Sequence, residues 1–182
     1  MRNSRLFLSH QLGFTLLNIL ITLVISGILA SAGIPPFKRL LNNYQANNAY
    51  EQLFTLVQFT RIQSVNYRGQ VILCPSTDQK ECINDWNQTL MVFVDSNNDE
   101  TRNADELLLQ LKHANVDNEN TNWKASGSRR YLRFKADGST SNQNGRLSYC
   151  LESNGEVYAR QIIVYRTGRA RKASEEEALK QC

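Results

Sequence analysis

Histidine is nearly absent from this chain: His10 and His113 are its only two. Neither stands in a pattern that would set a base beside a serine or cysteine nucleophile, so no nucleophile–base set is visible and no enzymatic activity is expected. Cysteine is limited to Cys74, Cys82, Cys150 and Cys182. None belongs to a C-x2-C element and His113 is far from them in sequence, which argues against zinc. Aromatic residues are sparse in the basic C-terminal stretch, where Tyr158 and Tyr165 are the nearest rings. A stacking cleft for single-stranded nucleic acid needs more. No internal repeat is found, and no cofactor is expected.

A long apolar run occurs once. Residues 14–34, FTLLNILITLVISGILASAGI, carry no formal charge, and a helix of that length rises about 31 Å, the hydrocarbon thickness of a bilayer. Residues 1–13 carry Arg2 and Arg5 and no acid, the polarity of a segment left on the cytoplasmic side. An ordinary secretory signal fits poorly, because its apolar region is shorter and ends at a small-residue cleavage site. Here Pro35-Pro36 and an amphipathic run follow instead. On hydropathy alone the run predicts a single-pass anchor.

Residues 35–68 continue with helical spacing. Ala46, Ala49, Leu53, Leu56 and Val57 fall on one side, with Asn47, Asn48, Glu51, Gln52 and Arg61 largely elsewhere. This predicts an amphipathic continuation of the same helix, kinked where the two prolines remove backbone donors. From residue 69 the period falls to two or to short apolar runs, predicting strands at 70–74, 89–95, 107–112, 131–135, 146–152 and 160–166. Asp137-Gly138 and Asn154-Gly155 mark turns, and 114–128 is the most loop-like segment. A helix followed by strands gives an α+β fold, a long N-terminal helix packed on an antiparallel β-sheet domain spanning 69–182.

Particular residues narrow this further. Gly13-Phe14-Thr15-Leu16-Leu17, after a short basic segment and before an apolar helix reaching Pro35, resembles the N-terminus of type IV pilins and type II secretion pseudopilins. Further along come Val71-Ile72-Leu73-Cys74-Pro75, then Cys82, then Met91-Val92-Phe93-Val94-Asp95. Arg133-Phe134 precedes Asp137-Gly138, and a last strand ends in Arg166-Thr167-Gly168-Arg169. In that order they resemble the GspH/FimT family over nearly the whole mature chain, and imply a type IV pilin-like fold. The resemblance implies that 1–13 is a leader, cut by a prepilin peptidase between Gly13 and Phe14, with N-methylation of Phe14. It also implies that 14–34 holds the subunit in the inner membrane with its domain on the periplasmic side, then packs among other pilins in a cell-surface filament. The family usually has a glutamate four residues after the new N-terminus, where this chain has Asn18. Asn18 replaces a charge-assisted contact with a neutral one, which suits a low-copy subunit near a filament tip, or is incidental.

Delivery to the periplasm makes disulfides the first expectation for the cysteines. Three full pairings exist and sequence alone does not choose. Cys74 and Cys82 close a short local loop and are the natural pair, which leaves Cys150 with Cys182.

Charge is unevenly placed. Residues 14–123 hold 7 basic and 11 acidic side chains, whereas 124–172 hold 11 basic and 3 acidic. Such a surface favours phosphates through Arg and Lys contacts and counterion release. Gly168-Arg169-Ala170-Arg171 resembles the G-R-x-R motif of FimT-type minor pilins. That implies sequence-independent binding of double-stranded DNA by Arg169 and Arg171 during natural transformation. Lys172, Arg166 and Arg160 are supporting candidates, with Lys124, Arg129 and Arg130 if their loop lies nearby. Ser174-Glu175-Glu176-Glu177 has the capping-box pattern, so a short helix is expected to carry Cys182 back toward the sheet and pin 167–172 as a loop. The glutamates either cap that helix or occupy the arginines. Two other roles stay open: a GspH-like pseudopilin, structural in a type II secretion filament, or a minor pilin that only primes assembly.

One acidic loop stands apart. Asp95, Asn97, Asp99 and Glu106 match the oxygen-ligand pattern of a calcium loop, but Glu100 replaces its turn glycine and strands rather than helices flank it. The plainer reading is a polar connection between strands, with no metal.

Overall fold

The computed structural model describes residues 15–113, 119–127, 129–140 and 142–182, without the side chains of 30 and 32–35. The expected leader and the cleavage and methylation positions, Gly13 and Phe14, lie outside these residues. The chain divides after Leu40 into two compact units.

Helix α1, Leu16–Asn66, belongs to both units. Thr15 caps its start, the hydroxyl accepting the Asn18 N–H at 3.3 Å and the carbonyl accepting it at 3.0 Å. The helical backbone continues through Pro35 and Pro36, so the two missing donors do not end it. In the first unit every large apolar side chain described from Leu16 to Leu29 is exposed. Among the described residues no helix is long and apolar enough to cross a membrane. The run expected to do so, 14–34, contains Phe14 and the side chains of 30 and 32–34, all outside the description.

The second unit holds the sheets. The strands are β1 (Gln70–Pro75), β2 (Leu90–Asp95), β3 (Leu108–Lys112), β4 (Glu119–Ala125), β5 (Leu132–Phe134), β6 (Gly145–Ser153), β7 (Glu156–Val164) and β8 (Ala170–Lys172). They form two antiparallel sheets, ordered β3-β2-β1-β5 and β4-β6-β7-β8, where the sequence suggested one. Short helix α2, Glu175–Leu179, follows.

The expected apolar side of the helix is the one that packs. Ala46, Ala49, Leu53, Leu56 and Val57 are buried with Val71, Leu73, Val92 and Phe134 of the first sheet and Leu147, Tyr149, Ile162 and Val164 of the second. The alternate residues of β1 and β2, Ile72, Cys74, Met91 and Phe93, form a second cluster with Cys82 and Tyr131. Burial of both faces explains why β1 and β2 read as unbroken apolar runs. Trp86 and Trp123 lie in the first cluster with ring centroids 5.8 Å apart, as packing residues.

Two segments depart from expectation. The 114–128 region contains β4, because Thr121 and Trp123 face the core while Asn120 and Asn122 face outward; its composition is polar but its period is two. The segment 167–172, expected as a loop, supplies β8 from Ala170 onward. Strand β7 begins at Glu156 rather than 160 because the β6–β7 hairpin closes tightly at Asn154 and Gly155, with φ of 53° and 77°. The structure forms the Cys74–Cys82 and Cys150–Cys182 disulfides, with Cα separations of 5.6 and 5.8 Å.

Candidate nucleic-acid interface

The register of the second sheet decides which basic side chains share a face. Lys124 pairs with Arg146, Arg146 with Ile163, and Ile163 with Arg171. Directly opposed residues in antiparallel strands point the same way, so Lys124, Arg146 and Arg171 form one row on the face away from α1. At a strand spacing of ~4.8 Å the row spans about 14 Å. Arg146 was not singled out from sequence. Its signal was present: it is the exposed residue directly before buried Leu147 at the start of β6, an alternation that marks an outward position.

Beside this row the chain leaving β7 turns back into β8. Gly168 sits at φ +78°, where a Cβ would overlap the Gly138 carbonyl oxygen. The turn closes on itself through Gly168 N–H to Tyr165 O at 2.8 Å and Tyr165 N–H to Arg169 O at 2.9 Å. It is also held from outside. Arg166 N–H donates to Asn144 Oδ1 at 2.9 Å, Arg166 O accepts from Thr140 N–H at 3.0 Å, and Arg61 of α1 donates to Gly138 O at 3.0 Å. Asp137-Gly138 and Gly168-Arg169, two motifs far apart in sequence, therefore meet in space.

On this fixed backbone the side chains of Arg166 and Arg169 are exposed, and no partner for either is found among the described residues. With Asn144, Tyr165, Thr167 and Arg171 they line an open groove of about 500 Å³. Arg171 differs. Its Nε donates to Tyr165 Oη at 2.8 Å, and its Nη1 and Nη2 lie 3.2 and 3.4 Å from the two Glu177 carboxylate oxygens. Glu177 also accepts the Ser174 N–H at 2.9 Å while Ser174 Oγ accepts the Glu177 N–H at 3.2 Å, completing the capping box. Hydrogen bonds from Arg171 and then from Ser174 hold the Glu177 carboxyl down at about 2, and Glu177 and Tyr165 raise Arg171 above its ordinary range. Glu177 thus caps α2 and engages one arginine at once. Glu176 pairs instead with Lys180 at 2.9 Å.

The remaining candidates scatter. Arg160 and Lys172 face α1: Arg160 donates to Asn47 at 2.8 Å and Asn43 at 3.1 Å, and Lys172 lies 4.8 Å from the Tyr50 ring centroid. They are not brought together with Arg169. The parity of β7 and β8 puts them on the opposite side of the sheet. Lys124 is exposed and reaches Gln181 at 3.4 Å. Arg129 is drawn to Tyr131 and Glu100, while Arg130 is exposed on the connection after β4. Helix α2, with Ala178 buried and Cys182 bonded to Cys150, packs against β7 at the other end of the sheet.

Residues 49–168 match the family model described as type II transport protein GspH. Among solved structures, the fold is similar to that of the type IV minor pilin FimU of Pseudomonas aeruginosa strain PAO1. One crystal form matches over 76% of this chain and 96% of that chain, at 17% identity and a TM-score of 0.57. A second matches over 72% and 95%, at 18% and 0.52. The minor pseudopilin EpsH of the Vibrio cholerae type 2 secretion system matches over 71% and 96%, at 8% and 0.50. At these identities the likeness speaks for the fold alone. Among curated proteins no sequence matches the chain. With the family model covering most of the chain and the helix-on-two-sheets architecture shared with a minor pilin and a minor pseudopilin, this chain belongs to the type IV pilin-like GspH/FimT family.

Proposed function

We propose that the chain is a minor type IV pilin that binds double-stranded DNA through the basic outer face of its second sheet, for DNA uptake in natural transformation. One observation carries the reading: Arg166 and Arg169 project, without partners among the described residues, from a turn whose backbone is already fixed. A fixed turn loses little entropy on binding, and guanidinium groups make bidentate phosphate contacts. Arg146 and Lys124 extend the surface across the sheet, and Arg171, its charge paired with Glu177, braces the turn through Tyr165. Contacts to phosphates position a protein without reading bases, so the binding is sequence-independent. Tyr165 alone does not make a stacking platform.

The rest of the assignment follows from family membership and the N-terminal residues. A prepilin peptidase cuts between Gly13 and Phe14, Phe14 is N-methylated, and 14–34 anchors the subunit in the inner membrane until it joins other pilins in a surface pilus. The exposed apolar side chains from Leu16 to Leu29 support a segment that finds its partners in lipid or in neighbouring subunits. A second reading, a structural pseudopilin of a type II secretion filament, is favoured by the description of the matching family and by the likeness to EpsH.

The full-length protein in detergent micelles, titrated into labelled duplexes of unrelated sequence, separates the two. The DNA reading expects equal affinity for each duplex, a loss of affinity in the Arg166→Gln/Arg169→Gln variant, and none in Lys80→Gln on the first-sheet side. Absence of binding by the parent leaves the pseudopilin reading.

A further inference from the structure

The loop joining β2 to β3 gathers three carboxylates, Asp95, Asp99 and Glu106. Asp95 ends β2, Glu106 lies two residues before β3, and Asp99 sits between them. One oxygen of each lies within 4.8 Å of the others. Among the described residues none of the three has a Lys, Arg or His in ion-pair range. Asp99 is exposed, but Asp95 and Glu106 are 1% and 4% exposed, and two buried carboxylates side by side repel.

Glu106 is partly compensated. Its oxygens accept the N–H groups of Ser96 at 2.7 Å and Asn103 at 3.0 Å. Asp95 is less so: neither buried oxygen has a hydrogen-bond partner, and only the nearby backbone amides of Asn98 and Glu100 favour its charge. A buried carboxylate left unpaired is costly, and such a group calls for a counterion or a proton. Burial, together with Glu106, pushes the Asp95 carboxyl above its usual range.

We infer that this loop is a calcium site, with Asp95, Asp99 and Glu106 as carboxylate ligands. The donors are all oxygen, as a hard cation requires, and the spacing places Asp95, Asn97, Asp99, Thr101, Asn103 and Glu106 at positions 1, 3, 5, 7, 9 and 12 of a twelve-residue calcium loop. The sixth position, which needs a left-handed backbone and is usually glycine, is Glu100 at φ 66°. Glu100 is held there by Tyr131 and by Arg133 at 3.4 Å, so the missing glycine does not prevent the turn. Bound calcium neutralises Asp95 and ties the end of β2 to the start of β3.

The test uses full-length protein in detergent micelles, stripped with a chelator, then titrated calorimetrically with calcium chloride and melted with calcium, with magnesium or with chelator. One calcium per chain is expected, with a Kd of about 10⁻⁴ to 10⁻³ M, and a Tm raised by calcium and not by equal magnesium. Asp99→Asn, at an exposed position, should weaken calcium binding at least tenfold; because Asp99 also accepts hydrogen bonds from Asn97, Thr101 and Asn103, its calcium response is read against its own Tm in chelator. Asp95→Asn should abolish the calcium-dependent rise and, by removing one buried like charge, melt no lower than the parent in chelator. The proposal is overturned if calcium leaves the Tm of the parent unchanged, if magnesium matches it, or if both variants keep the full calcium response.

Discussion

Arg169 and Arg171 are two residues apart and look equivalent in sequence, yet they do different work. Arg171 is spent on Glu177 and Tyr165, and Arg169 opens onto the groove. What separates them is Glu177, whose position is set by the capping box rather than by the arginines. A carboxylate has lone pairs enough to cap a helix and bridge a guanidinium together, so the alternatives posed by the sequence are both realised. The Glu177 carboxyl is lowered from 4.5 to about 2. A depressed acid contributes stability that is fully present above about pH 4.5 and lost as pH falls toward 2. An NMR titration of Glu177 should therefore show a midpoint near 2, moving back toward 4.5 in Arg171→Gln; a midpoint near 4.5 in the parent would mean the pair does not form in solution.

At the scale of elements, the turn between β7 and β8 is the part most exposed to single changes. Gly168→Ala meets both a left-handed backbone and the Gly138 carbonyl, and should cost about 2 kcal/mol or more in chemical denaturation, with DNA affinity falling as Arg166 and Arg169 lose their fixed base. Unchanged stability would show the turn to be less constrained than described. The Cys150–Cys182 bond spans 32 residues, and the chain-entropy model assigns such a loop about 3.7 kcal/mol. Cys150→Ser/Cys182→Ser should lose stability on that order and release α2, seen as proteolytic cleavage near the C-terminus. The helix face, the hairpin at Asn154-Gly155 and the cap at Ser174 were legible because each is local: spacing, turn chemistry and a four-residue pattern. Strand β4 was not, since asparagines on its outer face hid Thr121 and Trp123. Strand β8 was hidden because three residues, only one of them apolar, become a strand only by pairing with β7.

For the whole molecule, the sequence showed that positive charge concentrates in 124–172 but not how the fold divides it. Sheet parity turns Arg160 and Lys172 toward α1 and leaves Lys124 and Arg146 outward, while Arg166 and Arg169 are exposed on the turn between β7 and β8. That division required the register between strands, which pairs residues as distant as Lys124 and Arg171 through two intervening strands. If DNA binds such a surface, it does so with release of counterions, and the salt dependence then counts the phosphate contacts. The most direct measurement is the slope of log K against log salt for full-length protein on duplex DNA, parent against Arg166→Gln/Arg169→Gln. With each contact worth a slope of about 0.9, the double variant should bind more weakly and show a slope shallower by about 1.8; identical affinity and slope in the two proteins would contradict the assignment of DNA contact to this turn.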